Sequence, residues 1–115
     1  MTARNTLITA VPYPVEQAIK KFGHNLRTAR LRRKQTIQEA AEKIGTGARA
    51  VRDAENGKAS TGVAVYAALL WAYDLLQPFE DLADPRADEE GFALAGIGKT
   101  TNARARKSRG LSNDF

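Results

Sequence analysis

Ten basic residues of this 115-residue chain stand in two clusters: Arg27, Arg30, Arg32, Arg33 and Lys34, and then Lys99, Arg104, Arg106, Lys107 and Arg109. Guanidinium and ammonium groups of this density neutralise a polyanion, most often nucleic acid. Between the clusters, residues 74–90 hold seven acids against one base, Arg86, within a net charge of +5. That asymmetry predicts two surfaces with different partners. Catalytic chemistry has little to work with. The acids at 80–90 have no histidine or metal partner, and a solvated acidic face accounts for them. There is no cysteine and one histidine, His24, so thiolate or imidazole metal sites are implausible. His24 reads as a surface or boundary residue. Ala93-Leu94-Ala95-Gly96-Ile97-Gly98-Lys99-Thr100 fits a lax phosphate-loop pattern with alanine in place of the first glycine. That chemistry needs a strand before the loop and a helix after it. Neither is predicted, so the chain is expected to be no enzyme and to need no cofactor.

The element that would position charge against a polyanion is residues 36–57. Ile37, Ala40, Ala41 and Ile44 recur at i, i+3, i+4 and i+7, one apolar stripe of a helix. Thr36 with Glu39 forms a capping box. Gly45-Thr46-Gly47 stops the helix, since glycine accepts the positive φ of a tight turn. A second helix is expected from Ala48 to Asn56, with Val51 and Ala54 inward and Arg49, Arg52 and Asp53 outward. Asn56-Gly57 ends it. Two short helices, a glycine turn and a basic outer face point to a helix-turn-helix.

The flanking segments frame this motif. Residues 1–13 read as an arm, either a frayed terminus or a short strand that pairs with a partner chain. A first helix is expected from about Pro14 to Arg33, with Val15, Ala18, Ile19, Phe22, Leu26 and Ala29 in helical spacing. Gly23 is a weak point in it, costing about 1 kcal/mol relative to alanine. Ser60 or Thr61 is expected to cap a helix over 63–76 that is apolar on nearly every side. Such a helix must be buried all round, so Trp71 and its neighbours either fill the local core or face another subunit. A short last helix follows Pro78, with Phe79 and Leu82 inward. The domain boundaries expected are thus an arm at 1–13, a DNA-binding domain at 14–84 and a flexible basic tail at 85–115. No signal peptide is visible, and the most apolar stretch, 62–76, is shorter than the ~20 residues of a membrane span. A cytoplasmic protein is expected.

Leu26-Arg27-x-x-Arg30, Thr36 through Ala41, Gly45 and Val51-x-x-x-Glu55-Asn56-Gly57-Lys58 resemble the phage-repressor-like helix-turn-helix proteins, the XRE or Cro/C1 family. The resemblance covers about residues 22–83. Leu82 to Asp88 and Gly91 to Ala95 resemble the narrower HipB-like antitoxins, which pair with HipA-like kinase toxins. The resemblance implies an all-α, five-helix lambda-repressor-like domain, a homodimer, and major-groove reading by the helix at 48–56. Carried over by position, it puts Ala48, Arg49, Arg52 and Asp53 at base edges and Gly47 and Asn56 at the sugar-phosphate backbone. Arg27, Arg33, Lys34 and Lys58 are further backbone candidates. The family's glutamine at the start of the second helix is replaced by Ile37, leaving Gln38 or Thr36 to meet that phosphate. Ala40 stands where leucine is common. Arg30 and Glu55 match a structural ion pair. Tyr66, Leu70, Trp71 and Tyr73 are candidates for the dimer interface.

Three functions are compatible with these readings. One is a dimeric repressor that binds palindromic double-stranded DNA and also neutralises a HipA-like kinase. The second is a stand-alone prophage or stress repressor. The third is a helix-turn-helix used only for protein interaction, against which the basic outer face argues.

Overall fold

The capping box forms as its residues require. In the computed structural model, which describes residues 6–96, the Thr36 hydroxyl accepts the Glu39 N–H at 3.0 Å, and the Glu39 carboxylate accepts the Thr36 N–H at 2.8 Å. Gly45 at the other end is left-handed, φ 80°. All regular elements among the described residues are helical, and those up to residue 80 are α1 (Thr6–Thr9), α2 (Tyr13–Arg32), α3 (Ile37–Ile44), α4 (Ala48–Glu55), α5 (Val63–Ala72) and α6 (Gln77–Glu80). They belong to one compact unit that ends at Glu80; a second unit begins at Asp81.

Within the first unit α3 and α4 pack on each other, α2 crosses α4, and α5 closes against α3 and α4. Leu26, Ala40, Ala41, Val51, Ala54 and Leu69 are buried at its centre, ringed by Ile19, Phe22, Ile37, Ile44 and Phe79. Ala40, small for its position, is fully buried, while Tyr66 and Tyr73 bring aromatic volume into the same core. The Phe22 and Tyr66 rings stack with centroids 5.0 Å apart.

Several expectations are revised. The described part of the arm, from residue 6, is a single helical turn rather than a strand, with the Ala10 N–H donating to the Thr6 carbonyl at 2.7 Å. Gly62, not Ser60 or Thr61, caps α5. That helix stops at Ala72 because Asp74 turns left-handed, φ 63°. Leu82, expected inward, is 68% exposed.

Gly23 is no weak point. A Cβ there would overlap the Ala54 carbonyl oxygen and stand 2.6 Å from that of Glu55, so the α2–α4 crossing depends on a missing side chain. The turn after α4 is equally tight: Gly57 has φ 68°, and a Cβ on it would lie 2.7 Å from the Lys20 Cα.

In the second unit, residues expected within a flexible tail have local structure. Pro85–Ala87 is a 3₁₀ turn, and residues 89–96 are helical. Asp84 accepts the Arg86 N–H at 2.9 Å and its guanidinium at 3.0 Å; these bonds, the side-chain one foremost, hold the Asp84 carboxyl below its ordinary range. Asp88 accepts the Gly91 N–H at 3.0 Å. The basic cluster from Lys99 to Arg109 lies outside the described residues.

Candidate nucleic-acid interface

The outward face of α4 follows from its inward one. Val51, Ala54 and Glu55 are buried, which fixes the helix rotation and turns Arg49, Arg52 and Asn56 to solvent, with Ala48 and Asp53 half-buried beside them. Gly47 precedes the helix in extended conformation, and no side chain caps the helix there. Its first N–H groups therefore carry the positive end of the helix dipole, a favourable setting for a phosphate.

Glu55 is held by Arg30. The guanidinium donates through Nε at 2.6 Å and through Nη2 at 3.0 Å to the two carboxylate oxygens, and through Nη1 to the Gln35 carbonyl at 2.8 Å. Both residues are buried. The hydrogen bonds to Glu55 push the Arg30 pKa above its ordinary value, more than burial lowers it. This pair orients α4 on α2 and takes Arg30 out of any role at a ligand surface. It matches the ion pair that the family resemblance implied.

The remaining cations divide sharply. Arg33 donates to the Ala29 carbonyl at 2.9 Å and the Tyr73 carbonyl at 2.8 Å, and lies over the Tyr73 ring. Expected at the DNA backbone, it ties the end of α2 to the end of α5. Lys58 reaches the Asp53 carboxylate at 3.8 Å. Gln38, a candidate for the phosphate contact, donates to Glu42 at 3.3 Å, and the Thr36 oxygen is engaged in its cap. By contrast Arg27, Arg49, Arg52 and Lys34 have no side-chain hydrogen bond or ion pair among the described residues. Lys34 stands in left-handed conformation at the end of α2, φ 55°.

The α5 candidates separate too. Tyr66, Leu70 and Tyr73 are buried within their own chain, because α5 closes the core, whereas Trp71, the fourth candidate, is exposed, as is Val63. Burial pushes both tyrosine phenols above their ordinary pKa. The Thr61 hydroxyl opposes this at Tyr66, although neither oxygen makes a hydrogen bond of normal geometry.

A cleft of about 590 Å³ separates residues 8–11 from the C-terminal end of α4. Its charges are already paired, Glu16 with Lys20 at 3.4 Å and Asp53 with Lys58, so it offers no net charge to a small ion. Among the described residues no group of histidine, cysteine, aspartate or glutamate side chains could hold a metal, and no helix is long and apolar enough to cross a membrane. The phosphate-loop-like stretch has helix up to residue 96 where a strand would be needed; residues 97–100 lie outside the described part.

A family model described as a helix-turn-helix domain matches residues 21–82, more than half of the chain. The chain belongs to this helix-turn-helix family. The domain is of the XRE-like type, and membership indicates a DNA-binding regulator. No curated protein and no solved structure matches the chain. The matched region of the helix-turn-helix domain begins inside α2, so it contains the Gly23 crossing, the Arg30–Glu55 pair and all of α3 to α6.

Two features of the domain lie outside the sequence expectations. Gly23 falls on the buried stripe of α2, one residue from Phe22 and three from Leu26, and a glycine on such a stripe marks a close helix crossing. The carbonyl groups that capture Arg30 and Arg33 carry no sequence signal, since every residue has one.

Proposed function

We infer that this helix-turn-helix protein is a sequence-specific transcriptional repressor. It binds a palindromic operator as a homodimer through α4, as a cytoplasmic protein. The observation that carries this reading is the pair of unengaged arginines, Arg49 and Arg52, on the solvent face of a helix whose opposite face is locked by Arg30–Glu55. Arg27, Lys34, Gly47 and Asn56 serve the phosphates around it. Arg33, Gln38 and Lys58 already have protein partners, so their share is smaller. Dimerisation uses the α5 stripe of Val63, Ala67 and Trp71; Trp71 is 58% exposed, an unusual exposure for a tryptophan.

The test is titration of the purified chain with promoter DNA from its own locus against random duplex. Affinity for the promoter should exceed random by about 10³-fold or more. It should also fall by about 10³–10⁵ between about 50 and 200 mM salt if the dimer makes 6–10 phosphate contacts. A salt-independent signal, or equal affinity for random duplex, refutes the reading.

The finer role, antitoxin of a HipA-like kinase, is supported by the second unit. Phe92 is 80% and Leu94 59% exposed in a segment rich in acids, a surface suited to a protein partner rather than DNA. Isolation of the chain from its native cells should bring down a kinase-sized protein as well as promoter DNA. Recovery of the DNA alone favours a stand-alone repressor.

A further inference from the structure

The geometry of α4 carries information about which bases it reads. This inference rests on the DNA-binding reading above. Arg49 and Arg52 are three residues apart, so they project side by side from one face of the helix. The acid best placed to neutralise them is Asp53, four residues after Arg49, in the spacing that normally gives an intrahelical ion pair. That pair does not form. The Asp53 carboxylate instead reaches Lys58 at 3.8 Å, across the turn that follows the helix. The backbone brings the two residues together, because the Lys58 N–H donates to the Asp53 carbonyl at 3.0 Å. Gly57, left-handed and packed against Lys20, sets the turn that returns Lys58 to Asp53. Lys58 thus draws the one acid of the reading face aside and leaves both guanidinium forks open.

An open guanidinium offers parallel N–H donors, and guanine alone presents two adjacent acceptors, O6 and N7, in the major groove. Adenine offers an acceptor beside a donor, which repels half of the fork. At the start of the helix, where a recognition helix comes nearest to base edges, Ala48 offers only a methyl group, which fits the thymine methyl. An unpaired Asp53 would instead accept from the cytosine amino group. We propose that each operator half-site carries two guanines, one read by Arg49 and one by Arg52, and a thymine against Ala48. In this arrangement Lys58 is a positioning residue that withholds Asp53 from both the bases and Arg49.

The test is selection of bound sequences from a library of random duplexes by the full chain and four variants: Arg49→Ala, Arg52→Ala, Lys58→Met, and Lys58→Met combined with Asp53→Asn. Neither arginine makes a contact that its loss would break, so both variants should fold like the parent, checked by their melting temperatures. The parent should enrich two guanines per half-site. Each arginine variant should lose the preference at one of them, by about 5- to 150-fold, and keep the other. Lys58→Met should weaken the guanine preference at the Arg49 position, and the added Asp53→Asn should restore it, which loss of a phosphate contact alone would not do. Enriched sites without guanine, or arginine variants that weaken all duplexes equally, overturn the base assignment while leaving DNA binding intact. An unrestored double variant overturns the role of Lys58. Failure to enrich any duplex overturns the assignment together with the DNA-binding reading.

Discussion

Replacing Gly23 with alanine sets two effects of opposite sign against each other. In an ordinary helix interior the exchange stabilises by about 0.5–1 kcal/mol, because glycine loses the most chain entropy on folding. Here the new carbon meets backbone: it overlaps the Ala54 carbonyl oxygen and comes within 2.6 Å of the Glu55 oxygen and 2.9 Å of the Glu55 carbonyl carbon. These carbonyls belong to the last turn of α4, where that of Ala54 accepts the Gly57 N–H at 3.0 Å, and backbone cannot rotate aside as a side chain can, so the end of α4 must shift. Overpacking costs about 1–3 kcal/mol, and a clash with backbone belongs at the upper end. The shift also strains the Arg30–Glu55 bonds, which start at 2.6 and 3.0 Å. The net expectation is a loss of about 2 kcal/mol and a melting temperature lower by roughly 10 °C for a domain of this size. Thermal and urea denaturation followed by far-ultraviolet circular dichroism measure it, with an unchanged urea slope confirming that the native state remains compact. An unchanged or raised midpoint would refute the reasoning, since it would mean that α2 and α4 do not cross this closely and that helix propensity alone governs the site.

Three further outcomes are expected. Arg30→Met leaves the Glu55 carboxylate buried without a partner and should cost about 3–5 kcal/mol, most of which Glu55→Leu in the same chain should recover; urea midpoints of the single and double variants check both. Thr36→Ala removes the cap of α3 and should cost about 1 kcal/mol, read by the same titration. The alkaline limb follows from Tyr66 and Tyr73, whose phenols burial raises above 10.0. The fold favours their neutral forms, so the stability they contribute is complete below pH 10.0 and is lost as pH climbs from there through their folded-state values. Tyr73→Phe should move the midpoint of alkaline unfolding to higher pH; an unmoved midpoint would mean that other groups set that limb.

Much of the fold could be read locally. The capping box at Thr36 and Glu39 and the glycine stop at 45 are short-range chemistry, and both form as written. The stripe Ile37, Ala40, Ala41, Ile44 fixes the inward face of α3 by period alone. What failed depended on position in space. Gly23 looks like a defect by propensity and is a requirement by packing, because its cost is set by a carbonyl more than thirty residues away. The end of α5 differs from the apolar pattern, which continues to Leu76, because Asp74 turns the backbone left-handed after Ala72. Helix propensity has no way to express that competition.

The site was legible in type but not in allocation. Arginines and lysines are alike in a sequence, and a cluster of five before the motif looks like one electrostatic surface. The fold spends them differently. Arg30 is buried beneath α4, Arg33 closes the join between α2 and α5, and Lys58 is taken by Asp53. Arg27, Arg49, Arg52 and Lys34 are left with uncommitted charge. Net charge therefore overstates the phosphate-binding capacity of the domain, while the face of α4 is better prepared than its thin complement of polar residues implies. An exposed arginine held by no protein contact breaks no intramolecular bond on meeting a base; it gives up conformational freedom and hydration. Arg33 would first have to give up two carbonyl hydrogen bonds, so the salt dependence of binding should survive Arg33→Met far better than Arg27→Met.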